Sequence, residues 1–278
     1  MSSTVAAPLV ALLTDFGIAD GYPGVLKGVI LGIAPSARLV DLTHEIPPQD
    51  VLAGAWVLHT AWRSFPEDTI FLCVVDPGVG SARRPLALRA GGRWFIGPDN
   101  GLFSYVLAAA SPGAAVALDD PRYHLPNPSA TFHGRDIFAP CAAHLGAGVP
   151  LAALGSPLDL ASLVVLALAR PTWHAGTLSG QIAHVDRFGN LLTNFGPTLT
   201  DALLAEPALA LTLGGEVIAA RAATFAAGPD DAPFLLRDSS GHLSIAVRNG
   251  SAAARLGAAR GDVVVVHGLP ARIGELAR

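Results

Sequence analysis

Three short clusters in the first half of this 278-residue chain carry carboxylates where chemistry could use them: Thr14-Asp15-Phe16-Gly17, Asp41-Leu42-Thr43-His44 and Asp76-Pro77-Gly78-Val79-Gly80. Each closes a short apolar run. A carboxylate just past a buried strand either caps the next turn or faces a ligand crevice. Asp15 and Asp76, each followed by glycine within two residues, favour the crevice when taken together. Arg83 and Arg84 follow soon after the Gly78 and Gly80 turn. An arginine folded back onto Asp76 would keep that carboxylate ionised and aimed; the alternative is a solvated surface pair. Gly78 and Gly80 mark a sharp turn, but GxGxxG is incomplete, so this is not a dinucleotide fingerprint. His133 lies in Phe132-His133-Gly134-Arg135-Asp136, at a loop-to-helix junction where a ring can face a pocket. Carboxylates with a histidine in one crevice are the equipment of acid–base chemistry.

The second half offers different material. Asp186-Arg187-Phe188-Gly189-Asn190 precedes apolar Leu191-Leu192. A strand, a polar turn and another strand would present Asp186, Phe188 and Asn190 together. An aromatic ring beside an amide suits a planar base, by stacking and edge hydrogen bonding. A plain hairpin turn is the alternative. Ser239-Ser240-Gly241 and Asn249-Gly250-Ser251 carry the same two readings.

The elements that must position these residues are legible from periodicity. Leu9–Leu13, Leu39–Leu42 and Thr69–Val75 read as strands, the last wholly apolar, as a parallel sheet covered on both faces requires. Tyr22–Ile33 has helical spacing, with Pro23 in its first turn. Asp50 caps a helix reaching to about Phe65, with Val51, Ala55, Leu58 and Trp62 on one face. Leu86–Arg89 and Trp94–Ile96 form a hairpin-like pair through Gly91-Gly92. Leu102–Ala110 and Arg135–His144 are the next helices expected. Residues 1–170 thus read as a doubly wound, mainly parallel α/β domain. Arg170-Pro171-Thr172 reads as a linker. Residues 171–278 read as a smaller all-β barrel-like domain, with strands at Gly180–Val185, Leu209–Leu213, Val217–Arg221, Leu243–Val247 and Val263–His267. Its helix signal is weak, apart from a turn or two at Ala252–Leu256.

Bulk properties narrow the function. Hydrophobic residues make up 51% and charged residues 14%, which describes a packed globular chain. No apolar stretch approaches the roughly 20 residues needed to cross a bilayer, so no membrane partner is expected. The net charge is −4 and Arg83-Arg84 is the only adjacent basic pair, which disfavours nucleic acid. No positive charge precedes the first apolar residues, and Cys73 and Cys141 sit in apolar segments. The chain therefore reads as cytoplasmic, with two buried thiols. No CxxC or HExxH spacing announces a metal site.

Six stretches, taken in order, resemble the adenosine-forming S-adenosylmethionine hydrolases, a family similar in fold to the fluorinases and chlorinases. They are Thr14–Gly17, Asp41–Asp50, Val75–Gly80, Gly97-Pro98-Asp99-Asn100-Gly101-Leu102, Phe132–Asp136 and Asp186–Asn190. The likeness covers nearly the whole chain. It implies a catalytic trio at Asp76, Arg83 and His133. The halogenating relatives carry tyrosine in place of Asp76, and tyrosine and serine in place of His133 and Gly134. The resemblance further implies that Asp15 holds the ribose hydroxyls and that Asp186 and Ser239 take the amino-acid end. Asn190, Arg248, Asn249 and Gly250 would meet the adenine, with Phe188 packing nearby. The fluorinase pattern has arginine where Ser240 stands. No cofactor and no metal are implied, S-adenosylmethionine being the substrate. Family members form trimers whose sites join one subunit's first domain to its neighbour's second, so a homotrimer is expected. Three rivals stand beside this reading. One is a halide-using enzyme of the same fold, and another a non-catalytic adenosine or S-adenosylmethionine binder. The third is a metal-dependent phosphoesterase using Asp15, Asp76, Asp99 and His133.

Overall fold

The structure, a computed structural model, describes residues 7–277. The chain divides into two compact units, the first running to Ala167 and the second starting at Leu168.

The first unit contains β1 (Leu9–Thr14), α1 (Tyr22–Ile33), β2 (Arg38–Thr43), α2 (Val51–Ala61), β3 (Ile70–Val74), β4 (Pro85–Ala90), β5 (Arg93–Pro98), α3 (Ser104–Ala109), β6 (Pro112–Ala117) and α4 (Ala139–Gly146). Its six strands lie in the order β2-β1-β3-β5-β4-β6. β1 pairs parallel with β2 and β3, and β3 with β5. β4 is antiparallel to both β5 and β6. Strict alternation divides the apolar strands between two cores. Val10, Leu12, Ile70, Leu72 and Val74 pack with Leu26 and Ile30 of α1 and Ala139 and Ala142 of α4. Ala11, Leu13, Phe71, Cys73 and Val75 pack with Ala55 and Leu58 of α2 and Val106 of α3. A strand buried on both faces has no polar position to give, which is why β3 is apolar throughout. The expected doubly wound, mainly parallel sheet is present.

Helix boundaries follow local chemistry. Asp50 accepts a hydrogen bond from the Ala53 amide at 2.9 Å and starts α2. That helix ends at Ala61 and tightens into a 3₁₀ turn to Ser64, short of the expected Phe65. The segment expected as one helix from Arg135 opens instead as a π-helical turn over Gly134–Phe138, with His133 immediately before it. β6 went unread, because Pro112-Gly113-Ala114-Ala115 has no strand-like pattern; antiparallel pairing with β4 recruits it.

The second unit contains β7 (Thr172–His174), β8 (Thr177–Val185), β9 (Leu191–Thr193), α5 (Pro197–Leu204), β10 (Leu211–Leu213), β11 (Glu216–Ile218), β12 (Pro233–Arg237), β13 (Leu243–Val247), α6 (Ala252–Leu256), β14 (Val263–Val266) and α7 (Ala271–Leu276). The strands run β11-β10-β14-β8-β9-β13-β12, with β7 on β8. A bridge from Arg221 to Leu235 nearly closes the path into a barrel. The sequence underestimated helix here: α5 and α7 place Leu199, Leu203 and Ile273 against the barrel core. Thr172, expected in a linker, begins a strand. β12 was also missed, its Pro233 hiding a strand start. Among the described residues, no helix is long and apolar enough to cross a membrane.

Candidate active site

Parallel pairing brings the strand ends of the first unit to one edge. Thr14 of β1 lies in register with Val74 of β3. Asp15 and Asp76 therefore leave the sheet side by side, and both line one cavity of about 420 Å³. His133, Phe132 and Gly134 line it as well, as do Phe16, Tyr22 and Gln49.

The loop after β3 is built to return Arg83 to Asp76. The Val79 amide donates to the Asp76 carbonyl (3.2 Å) and the Ser81 amide to the Gly78 carbonyl (3.1 Å). Gly80 has φ +76°, and a Cβ there would stand 2.5 Å from the Ala130 carbonyl oxygen. Only glycine fits that turn. Arg83 Nε then reaches both Asp76 oxygens at 3.0 and 3.1 Å, and a terminal nitrogen bonds Oδ2 as well. The two side chains are 9% and 5% exposed. Arg83 is thus the folded-back arginine, not a solvated one. Arg84 turns away, to Asp99 Oδ2 (Nε, 2.8 Å) and to Ser162. Asp99 also accepts from the Val164 amide at 2.9 Å and is buried. It does not line the cavity, so the metal-dependent rival loses one of its four ligands. Among the described residues, no group of three or more His, Cys, Asp and Glu side chains is placed to hold a metal ion.

Arg83 makes one more bond that decides the state of His133. The guanidinium NH2 group stands 2.8 Å from His133 Nδ1. Arginine has no acceptor, so Nδ1 must accept, and the ring proton sits on Nε2. Partial burial and then the Arg83 charge hold the imidazole pKa below its usual value. His133 is neutral near pH 7 and presents an N–H. Next to it, Asp136 is buried and fixed by Arg135 and by the Ser129 amide, so the Arg135-Asp136 pair anchors the π turn rather than serving the cavity.

Asp15 is steered by a neighbour the sequence did not single out. Its Oδ2 accepts from the Gln49 amide at 2.7 Å, and Gln49 holds φ +67° to make that bond. Such a conformation is uncommon in a non-glycine residue.

The second unit has its own cavity, of about 900 Å³, lined by Phe188, Asn190, Arg248, Asn249, Gly250 and, unforeseen, Phe225 and Ala226. Asp186 organises the loop between β8 and β9. Its Oδ1 accepts from the Phe188 and Asn190 amides, and its Oδ2 from Asn190 Nδ2 at 2.8 Å. Phe188 is left 75% exposed. Gly189, at φ +79°, packs against Ser251, where any Cβ would clash. Arg248 pairs with Asp230 and reaches the Ala226 carbonyl, tying the Phe225 turn to the cavity. Asp186 and Ser239 are not among the cavity's walls. Ser239 is exposed in the turn between β12 and β13, which Asp238 knits together through Ser240, His242 and Ser244. Phe225 gave no signal in the sequence, since Ala222–Ala227 carries neither strand nor helix periodicity.

Known proteins resemble the chain over both of its units. A relative from Thermus thermophilus, "(R)-S-adenosyl-L-methionine hydrolase", is 40% identical over 263 residues, covering 91% of this chain and 96% of its own. A fluorinase from Actinoplanes sp. is 33% identical over 216 residues, 69% of this chain and 72% of its own. The crystal structure of an uncharacterized conserved protein from Thermotoga maritima superposes with a TM-score of 0.87 at 35% identity, covering 93% of this chain and all of that one. Residues 10–155 match the N-terminal domain of SAM hydroxide adenosyltransferase, and residues 180–265 its C-terminal domain. With both of its units matched in order, the chain belongs to the SAM hydroxide adenosyltransferase family.

Proposed function

We propose that this protein is an S-adenosyl-L-methionine hydrolase, which places water on C5′ of the sugar and releases adenosine and L-methionine. Relatives named for hydrolysis of the (R) sulfonium epimer support the reading and point to that epimer as substrate. The observation that carries it is Arg83 bridging Asp76 and His133 beside a cavity that Asp15 also lines.

The sulfonium is an activated leaving group. As the water oxygen bonds to C5′, the C5′–S bond breaks and sulfur keeps the electron pair as a neutral thioether. No general acid is required, so the protein must orient one water and take its proton. Asp76 accepts a hydrogen bond from the water and receives the proton. His133, an Nε2–H donor, binds a lone pair of that water and orients it; it is not the base. Arg83 fixes both partners. Positioning of this kind supplies roughly 7–11 kcal/mol in favourable systems, and a base about 10²–10⁴-fold. An ionised carboxylate repels a halide at the same place, which disfavours the halogenating alternative.

In this reading Asp15 holds the ribose hydroxyls through Oδ1. Asn190, Arg248, Asn249 and Gly250 receive the adenine, with Phe188 against its face, and Asp186 and Ser239 take the amino-acid end. The chemistry needs no further cofactor. We also assign a homotrimer, in which the second-unit cavity of one subunit completes the first-unit cavity of its neighbour. Complementary chemistry supports it, since Asp15, Asp76 and His133 line one cavity, while Asn190, Asn249 and Arg248 line the other, which has no carboxylate. The two unpaired buried thiols suit the cytoplasm.

The test is incubation of the protein with each sulfonium epimer, in chelator and without added halide, followed by chromatography. Adenosine and methionine in equal amounts are expected. A halide-dependent product, or substrate bound but left intact, overturns the reading.

A further inference from the structure

Three aromatic rings share the wall of the first-unit cavity. Phe16 and Tyr22 lie 5.9 Å apart, Phe16 and Phe132 5.9 Å, and Tyr22 and Phe132 5.3 Å, every pair edge to face. Gly134 sits against two of them: a Cβ there would be 3.4 Å from both Phe132 and Phe16. Burial alone does not account for the cluster, because Tyr22 is 48% exposed at the start of α1. Phe132 already carries a cation, with the Arg135 guanidinium 5.2 Å from its ring centroid. The cavity's walls hold two carboxylates and no lysine or arginine, and Asp76 is neutralised from behind by Arg83. Such a cavity favours a positive ligand charge that is bulky, apolar and weakly hydrated, the kind that aromatic faces attract best.

Resting on the hydrolase reading, we propose that Phe16, Tyr22 and Phe132 form a recognition site for the sulfonium centre, selecting the charged substrate over its uncharged thioether counterparts. The energetics set what the rings do. The sulfonium charge is whole in the bound substrate, partly dispersed at the transition state, and gone from both products. Attraction to the rings therefore strengthens substrate binding more than transition-state binding, and acts on KM rather than kcat. It also vanishes on reaction, so the products are released without opposing it. These are binding and positioning residues, and Asp76 remains the group that touches the reacting water.

The test compares Tyr22→Leu, Tyr22→Phe and Phe16→Leu with the wild-type protein. The readouts are kcat and KM for S-adenosylmethionine, and Ki for its thioether, S-adenosylhomocysteine. Leucine keeps apolar area and removes the ring's charge distribution; phenylalanine keeps the ring. Tyr22→Leu should raise KM about 2- to 30-fold and leave the thioether Ki within about twofold, while Tyr22→Phe keeps the wild-type ratio. Phe16→Leu should act in the same direction. A parallel rise in KM and Ki, or no change in either, overturns the proposal, because the rings would then only fill space or do nothing. If the wild-type protein leaves S-adenosylmethionine intact, the hydrolase reading fails. The substrate then survives titration, and calorimetric Kd values for the same two ligands test the aromatic site by itself.

Discussion

Asp76 and His133 are tied to one guanidinium but differ in what they can do. Asp76 can only accept. His133 can only donate while Arg83 holds Nδ1. Asp76→Asn keeps the shape and removes the acceptor needed for the proton, so kcat should fall about 10²–10⁴-fold while adenosine still binds in calorimetry. Comparable turnover would remove Asp76 from the mechanism. The pH dependence follows from His133. Its pKa is depressed in the folded protein by burial and by Arg83. Protonation must occur at Nδ1, which breaks the Arg83 bond and sets two cations face to face. Activity should be flat above the ordinary histidine value of about 6.5 and fall on the acid side of it. The stability contribution has the same sign. It is complete above the unfolded pKa and lost as pH falls through the lower folded one. His133→Asn keeps a donor without the titration, so its kcat/KM profile should lose that acid limb; an unchanged limb would assign it elsewhere.

At the scale of elements, the site depends on the loop between β3 and β4. Asn100 supports it from the next strand end, donating to the Val75 carbonyl at 2.9 Å and accepting from the Leu102 amide. The Gly97-Pro98-Asp99-Asn100 stretch is thus scaffolding: Asp99 secures Arg84, and Asn100 secures the strand that carries Asp76. Gly97 itself allows the close approach, since a Cβ there would lie 2.1 Å from the Cys73 carbonyl oxygen. Gly80→Ala is the sharpest probe of the loop. The left-handed backbone costs about 1–3 kcal/mol in a non-glycine residue, and the contact with Ala130 adds to it. Denaturant unfolding should show a loss of that order. Activity should fall further than stability alone accounts for, because Arg83 is displaced from Asp76. Full activity in a destabilised Gly80→Ala protein would show that the Arg83 placement is dispensable.

For the whole molecule, the prediction concerns assembly. Asp76 and the Phe188–Asn190 loop belong to different units of the chain. If each site joins the first unit of one subunit to the second unit of the next, two inactive variants can complement one another. Asp76→Asn mixed with Asn190→Ala under exchange conditions should recover part of the wild-type rate, since some mixed interfaces contain both intact halves. If the proposed trimer forms, assays over a dilution series should show activity falling as it dissociates. No recovery, with exchange verified by native mass spectrometry, would place both halves within one subunit.

The sequence by itself determined the first three strands, the carboxylates at their ends and the order of the motifs. Those follow from local rules: β1 and β3 must be apolar if both faces are covered, and Asp15 and Asp76 can only follow them. It also made a turn after Asp76 necessary, through Gly78 and Gly80. Which of two adjacent arginines turns inward was not legible, because Arg83 and Arg84 are chemically identical. The choice lies with Asp99 and Ser162, neighbours distant in sequence that capture Arg84. The aromatic cluster was likewise hidden, since Phe16, Tyr22 and Phe132 come from three separate elements. Phe225 lacked any periodic signal, and β6 and β12 became strands only because partners offered hydrogen bonds. Tertiary structure also fixed the tautomer of His133, because only the nitrogen facing Arg83 shows which one must accept.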